Sequence, residues 1–237
     1  MAKKTLLAIE YPTADEWRSL VKQFPQEAIA HKLLLASVPF VFKDEPLKFA
    51  LFKRTIADAF GVAPTDVFIV GSALAGRSLK GEDIDKAYSS ESDIDTLIIS
   101  EHLFAKYVMK SFEWVKLATA GKRDDEGKYS SPKLLDDQVA QIGRLAANAC
   151  KGIWRPDSLP HEAEAREDFF NKFGEVSLKT LGLQLSEDTV SKVNGRIARS
   201  FDDAVKDLSA SIWRLRKEFE AIEDKSKGAK GSKASKA

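Results

Sequence analysis

Two short segments constrain the fold of this chain more than any other part of its sequence. Residues 67–72 form an apolar run that stops at Gly71-Ser72. Residues 92–99 form a second apolar run, which contains Asp93 and Asp95. Successive side chains of a β-strand point to opposite faces, so aspartates two residues apart share one face, about 6–7 Å apart at Cα. The sequence therefore predicts two strands, a turn after the first, and paired carboxylates on the second.

The aspartate pair indicates a metal ion. Carboxylates this close repel each other at neutral pH, and burying either one without a partner is unfavourable. A cation between Asp93 and Asp95 removes the repulsion, and hard oxygen ligands suit Mg²⁺ and Mn²⁺. We therefore predict that these two side chains hold Mg²⁺ or Mn²⁺.

The turn predicts a phosphate site beside the metal. Gly71 permits a tight turn or a close approach of the backbone to a ligand. Ser72 stands where the strand passes into a short helix, predicted from Ala73 to about Leu79, and free N–H groups at a helix start attract phosphate. The hydroxyl of Ser72 adds a further donor. One loop would bind phosphates while the neighbouring strand holds the metal.

This combination of residues resembles the DNA polymerase β-type nucleotidyltransferase superfamily. The residues that match its motif are Gly71, Ser72, Asp93 and Asp95. The local sequence VGSALAGRSL…SESDIDTLIISEHLF is similar to a bacterial branch of that superfamily, and the resemblance extends over about residues 66–105. The gap between Ser72 and Asp93 is longer than the dozen or so residues that are usual there.

The resemblance implies an α+β fold and a metal-dependent transfer of a nucleotide. Asp93 and Asp95 would hold one or two Mg²⁺ ions, while Ser72 and the backbone of Gly71 would seat the β- and γ-phosphates of a nucleoside triphosphate such as ATP. The nucleoside monophosphate would pass to a hydroxyl acceptor, and pyrophosphate would leave. Positioning and charge neutralisation would supply most of the rate, because such a transfer asks little covalent chemistry of the protein.

The resemblance also implies a third carboxylate on a later strand. Asp157, Glu175 and Glu187 are the candidates, and none of them lies in a clear apolar strand. A site with two carboxylates can still bind a metal ion, with more water among its ligands.

Several basic residues are candidates for contact with the phosphates, namely Arg77, Lys80, Arg196 and Arg199. Of these, Arg77 is assigned with Gly71 and Ser72 to the nucleotide site. For Arg196 and Arg199 a solvated strand edge is the simpler interpretation.

The polar segment 80–92 contains a second Asp-x-Asp, Asp83-Ile84-Asp85, but no apolar run follows it. The simpler interpretation of the segment is a solvated acidic loop. The alternative is a functional loop that borders the substrate entrance and contacts the metal ion or the base. Trp154 lies in a further irregular segment, where it either fills the core or faces a nucleotide base.

The remaining pattern predicts an α+β protein, with a small mixed β-sheet of the nucleotidyltransferase type, flanking helices and a helical C-terminal region. Helices are predicted at 14–24 after a Thr13 cap, 25–37, 46–60, 101–120, 132–151, 161–173 and 201–222. An irregular strand is predicted within 175–186 and a last strand near 191–198.

Three regions follow from this pattern. Residues 1–60 would form a helical region that packs on the core, and residues 61–224 would form the nucleotidyltransferase-like core with helical additions. Residues 225–237 carry five lysines and no acid. We predict that they form a disordered basic tail, because they have no apolar area to bury.

Charge, cysteine content and hydropathy narrow the class of protein. The chain has 37 basic and 36 acidic residues, so an extended surface for sequence-independent nucleic-acid binding is not implied. Its single cysteine allows no intramolecular disulfide and fits a reducing compartment. No apolar run has the length of a membrane span, and the N-terminal residues lack the pattern of a secretion signal. We predict a cytoplasmic protein without a membrane partner.

Three functions are compatible with these observations. The first is an active enzyme whose acceptor is an RNA end, a protein side chain, a small molecule or another nucleotide; the resemblance to stand-alone bacterial members suggests toxin–antitoxin or antiviral (phage) defence. The second is a catalytically degenerate, nucleotide-binding regulatory module with the same fold, which the missing third carboxylate favours. The third is a protein whose site is controlled by a regulatory partner chain.

Overall fold

Helices account for most of the structure, which is a computed structural model that describes residues 11–80, 83–89, 92–120, 122–123, 129–130, 136–181 and 192–234. The helices are α1 (Ala14–Gln23), α2 (Gln26–Leu35), α3 (Pro46–Phe60), α4 (Gly71–Ala75), α5 (Glu101–Thr119), α6 (Asp136–Cys150), α7 (Glu164–Leu181) and α8 (Phe201–Ala234). The strands are β1 (Val67–Val70), β2 (Ile94–Ile99), β3 (Lys122–Arg123), β4 (Tyr129–Ser130), β5 (Ile153–Trp154) and β6 (Val193–Ala198). The mixture of helices and strands confirms the predicted α+β class.

Four of the strands form one sheet, in the order β1-β2-β6-β5, and β3 pairs with β4 separately. β5 and β6 are antiparallel. Contacts between β2 and β6 advance in the same direction: the hydroxyl of Thr96 donates to the carbonyl of Asn194, and the N–H of Ser100 donates to the carbonyl of Ala198, both at 2.9 Å. Parallel and antiparallel pairs therefore occur together, and the prediction of a small mixed sheet is confirmed.

The described chain divides into two compact units, each built from segments that are distant in sequence. The first unit consists of the described residues up to Pro46, of Ile69–Asp95 and of the chain from Val205 onwards. The second unit consists of Leu47–Phe68 and Thr96–Ala204. The three regions predicted from the sequence are continuous segments, whereas each of these units combines several segments. The division into three regions therefore stays a prediction.

Capping explains where α1 begins in the first unit. The hydroxyl of Thr13 accepts a hydrogen bond from the N–H of Glu16 at 3.3 Å, and the Glu16 carboxylate accepts one from the N–H of Thr13 at 2.7 Å. Such a capping box satisfies N–H groups that the start of a helix leaves free. Trp17, Leu20 and Val21 are buried, as their helical spacing predicts.

Aromatic rings fill the core of the second unit. Trp154 is fully buried, with its ring centre 4.7 Å from that of Tyr107 and 4.9 Å from that of Phe169. The indole N–H of Trp154 donates to the hydroxyl of Ser111 at 2.8 Å, and Tyr107 donates to Asp168 at 2.6 Å. Burial and the bond to Asp168 raise the pKa of Tyr107 well above its ordinary value. Trp154 therefore fills the core and does not face a nucleotide base.

The segment predicted as an irregular strand is helical where the structure describes it. α7 continues through Leu181, so the prediction is wrong for residues 175–181, and residues 182–186 lie outside the described residues. Phe169, Phe173 and Val176 are buried at helical spacing. Their common burial in the core favours a helix over a strand.

The last helix also extends further than predicted. α8 continues to Ala234, beyond the predicted end near residue 222 and into the segment that we predicted to be disordered. Alanine and lysine have high helix propensity, and extending an existing helix is far easier than starting one. Residues 235–237 lie outside the described residues. Within the described part of the chain, no helix combines the length and the apolar character that crossing a membrane requires.

Ser111→Ala tests the buried hydrogen bonds of the aromatic core. The substitution leaves the indole N–H of Trp154 without its acceptor, and an unsatisfied buried donor costs about 1–3 kcal/mol. We expect the free energy of unfolding, measured by urea denaturation, to fall by that amount.

Thr119→Ala is the matched control on the same helix. Thr119 donates to the carbonyl of Val115 at 2.7 Å, as Ser111 donates to that of Tyr107 at 2.6 Å, but the side chain of Thr119 is exposed. Its removal should change the free energy of unfolding by less than about 0.5 kcal/mol. Equal losses in both variants would show that the indole bond contributes nothing.

Candidate functional site

The turn after β1 consists of a left-handed glycine and one short helix. Gly71 has a φ of +69°, a conformation that residues with a Cβ rarely adopt. α4 ends at Ala75 and is capped by Gly76. Gly76 has a φ of +76° and donates its N–H to the carbonyl of Ser72 at 2.9 Å. The helix is therefore five residues long and stops before the predicted end near Leu79. So short a helix has little dipole to offer a phosphate, and the site depends on the groups around it.

Asp95 lies directly against this turn. A Cβ added to Gly71 would stand 3.0 Å from Oδ2 of Asp95, which is tighter than ordinary van der Waals contact. Asp95 is the second residue of β2 and is half-buried, while its neighbour Ile94 is buried. The turn and the carboxylate-bearing strand therefore meet at the residues that the sequence singles out.

One pocket contains all four residues of the motif. Its volume is about 470 Å³, and Gly71, Ser72, Asp93 and Asp95 line it. Asp93 is exposed and Asp95 is half-buried. The prediction that both aspartates lie on the strand is wrong for Asp93, which precedes β2 by one residue. The two aspartates and the Gly-Ser turn nevertheless line the same pocket.

The other wall of the pocket is a hairpin formed by the described residues between 76 and 88. The N–H of Ser78 donates to the carbonyl of Lys86 at 3.0 Å, and the N–H of Lys86 donates to the carbonyl of Asp83 at 2.9 Å. Lys80, Asp83 and Lys86 line the pocket from this side. The segment predicted as a solvated loop is therefore hydrogen-bonded here, and it borders the pocket.

The three side chains of the second Asp-x-Asp, residues 83–85, lie in three different environments. Asp83 lines the pocket, and Ile84 is buried, with 1% of its surface exposed. Asp85 contacts Arg18 at 3.2 Å. Partial burial alone would lower the pKa of Arg18, but its hydrogen bonds to Asp15 and Asp85 raise it. The sequence analysis placed Asp83 in a loop with two possible roles and did not assign it to the site. The signal that could have located it is the apolar Ile84 between two acids.

Arg77 does not line the pocket. Its Nε donates to the carbonyl of Pro12 at 2.9 Å, and its Nη1 donates to the carbonyl of Ile84 at 3.1 Å. The guanidinium therefore holds the hairpin in place, and this placement does not support the predicted contact with a phosphate. Lys80 and Lys86 are the basic residues that line the pocket; the first was a candidate from the sequence, and the second was missed.

The arginines near the last strand also lie elsewhere. Neither Arg196 nor Arg199 lines the pocket. Arg199 forms an ion pair with Asp203 at 3.0 Å, in the first turn of α8. The positive charge of Arg199 is therefore paired with a carboxylate at the start of α8.

The third carboxylate is not found where the resemblance places it. β6 is the strand next to β2, and its sequence, Val-Asn-Gly-Arg-Ile-Ala, has no acid. Asp157 and Glu175 do not line the pocket, and Glu187 lies outside the described residues. Among the described residues, Asp83 is a further carboxylate that does line it. Among the residues that the structure describes, no three acidic, histidine or cysteine side chains are grouped closely enough to hold a metal ion.

Comparisons of the chain with protein-family models, with curated proteins and with solved structures found no match. Any functional conclusion therefore depends on the residues and the geometry of this pocket.

Gly71→Ala tests whether this glycine positions Asp95. Left-handed backbone at a residue with a Cβ is unfavourable by about 1–3 kcal/mol, so the free energy of unfolding in urea should fall by that amount. The added methyl group should also displace the Asp95 carboxylate. We expect a shift of the carboxyl-carbon NMR resonance of Asp95.

Gly61→Ala is the matched control, because Gly61 has nearly the same φ, +68°, and no atom lies within 4 Å of a Cβ built there. It should lose a similar amount of stability and leave the Asp95 resonance in place. The same resonance position in wild type and Gly71→Ala would contradict the role of Gly71.

Proposed function

We propose that this protein is a metal-dependent nucleotidyltransferase, which moves a nucleoside monophosphate from a nucleoside triphosphate to a hydroxyl acceptor. The observation that carries the proposal is the single pocket lined by Gly71, Ser72, Asp93 and Asp95. Its volume of about 470 Å³ lies within the range of small-molecule sites. A hydroxyl donor and two oxygen anions therefore face one space of suitable size.

Each residue of the motif has a part that follows from its chemistry. The hydroxyl of Ser72 can donate to a phosphate oxygen, and Gly71, without a Cβ, leaves room for the Asp95 carboxylate beside it. Asp93 and Asp95 are oxygen ligands of the kind that Mg²⁺ and Mn²⁺ prefer. Such an ion, when bound, would neutralise phosphate charge and lower the pKa of the acceptor hydroxyl.

The transfer itself needs no covalent bond to the protein. The acceptor oxygen forms a bond to the α-phosphorus as the bond from that phosphorus to the bridging oxygen breaks. Pyrophosphate leaves with the electron pair, and the proton of the acceptor passes to solvent. The contribution of the pocket is therefore to position the reactants and to balance their charge.

The class of acceptor is part of the proposal and is open to experiment. An RNA end, a protein side chain, a small molecule and a second nucleotide all carry the hydroxyl that the reaction needs. The resemblance to stand-alone bacterial members supports a cytoplasmic role in toxin–antitoxin or antiviral defence, with a regulatory partner protein.

A nucleotide-binding regulatory module without catalysis is the second candidate. One observation favours it: β6, the strand next to β2, has no acid. Such a module would bind the triphosphate in the same pocket and release no pyrophosphate.

Pyrophosphate release separates the two candidates. The protein should release pyrophosphate from at least one nucleoside triphosphate in the presence of Mg²⁺ or Mn²⁺, with cell RNA or other acceptors supplied in turn, and EDTA should stop the release. Asp93→Asn and Asp95→Asn should each lower the rate by about a hundredfold. Each change removes one anionic ligand of the metal ion, and it is the metal ion that stabilises the developing charge.

Asp85→Asn is the matched control for these variants. Asp85 belongs to the other Asp-x-Asp, but its partner is Arg18 and it does not line the pocket. This variant should keep the wild-type rate. Undiminished release in Asp93→Asn and Asp95→Asn would end the proposal, whereas binding of a triphosphate without release would favour the regulatory module.

A further inference from the structure

Two lysines of the hairpin, Lys80 and Lys86, line the same pocket as the motif. Both are exposed, and within the described residues neither ammonium group forms an ion pair. Carboxylates occupy the pocket as well, since Asp83, Asp93 and Asp95 also line it. The two ammonium groups can therefore bind a ligand in a pocket that acidic residues line as well.

The hairpin that carries these lysines is anchored at several points. Arg77 bonds to the carbonyls of Pro12 and Ile84, and the Ile84 side chain is buried. The base of the hairpin packs on Phe40, because a Cβ added to Gly76 would stand 2.8 Å from Cδ2 of that ring. These anchors hold the backbone from which the two lysine side chains extend.

Charge of both signs in one pocket restricts the class of ligand. The carboxylates would repel a simple anion, and a cation alone would leave the two lysines without an anionic partner. A polyphosphate with a bound divalent cation suits both, because its metal can face the carboxylates while its remaining phosphate oxygens face the ammonium groups.

We propose that Lys80 and Lys86 bind the β- and γ-phosphates of a nucleoside triphosphate and so select it over a nucleoside monophosphate. The proposal rests on the function proposed above, in that the α-phosphate would lie beside Asp93 and Asp95. Arg77 acts as a positioning residue, because its guanidinium holds the hairpin and does not line the pocket. The pocket thus recognises the triphosphate tail through the hairpin and not through Arg77.

Calorimetric binding of two ligands tests this assignment. The ligands are a non-hydrolysable ATP analogue and AMP, each with Mg²⁺, and the proteins are wild type, Lys80→Ala, Lys86→Ala and the double variant. Each single change should weaken binding of the ATP analogue about tenfold, as expected for loss of one charge-assisted hydrogen bond. Binding of AMP should change by less than about twofold, because AMP has no β- or γ-phosphate.

Two further variants serve as controls. Lys106→Ala removes an exposed lysine of α5 that does not line the pocket, and it should bind both ligands as wild type does. Lys80→Arg and Lys86→Arg keep the charge, so they should recover most of the lost affinity. Recovery of this kind would not be expected if the alanine variants acted only by disturbing the hairpin.

The outcomes separate this inference from the proposed function. Equal losses for ATP analogue and AMP, unchanged affinity in the double variant, or no binding by wild type would each overturn the role of the lysines. Lysine-dependent binding by a protein that releases no pyrophosphate would support the inference and contradict nucleotidyl transfer. Pyrophosphate release with an unaltered KM in the double variant would support nucleotidyl transfer and contradict the role of the lysines.

Discussion

The contact between Gly71 and Asp95 is the constraint on which the site depends. Because Gly71 is left-handed and has no Cβ, Oδ2 of Asp95 can lie 3.0 Å from the place where a Cβ would stand. A larger residue at this turn would strain the backbone and displace the carboxylate. Ile69 and Ile94 are buried in the same unit, so the strands that bring the turn and the acid together are held by apolar packing. Core packing and site geometry therefore support each other.

The hairpin shows how a strongly charged segment becomes one wall of a pocket. Its anchors are few: Arg77 bonds to two carbonyls and Ile84 is buried, whereas Asp85 is exposed and its ion pair with Arg18 contributes little. The described charged residues of the hairpin that line the pocket are Lys80, Lys86 and Asp83. These two lysines, together with Asp83, Asp93 and Asp95, make a pocket of mixed charge. Such a pocket suits a ligand that carries a metal ion and phosphates together.

Elements with strong local signals could be predicted from the sequence alone. α1 follows a capping box, α3 occupies residues 46–60 as predicted, and β1 and β6 follow their apolar patterns. The strand predicted from residue 175 is instead part of α7. Local pattern alone left that segment ambiguous, whereas burial of Val176 with Phe169 and Phe173 favours a helix. Such a preference depends on core packing, which local patterns do not report.

The strands, the Gly-Ser turn and the pair of carboxylates that share a pocket could be predicted from the sequence. Strand alternation and the freedom of glycine are properties of neighbouring residues, so they can be read from the chain. Which other charges lie near that motif depends on contacts between residues that are distant in the sequence. Lys86 and Asp83 enter the pocket and Arg77 is directed away from it, because its guanidinium bonds to the carbonyl of Pro12, a residue far away in the sequence.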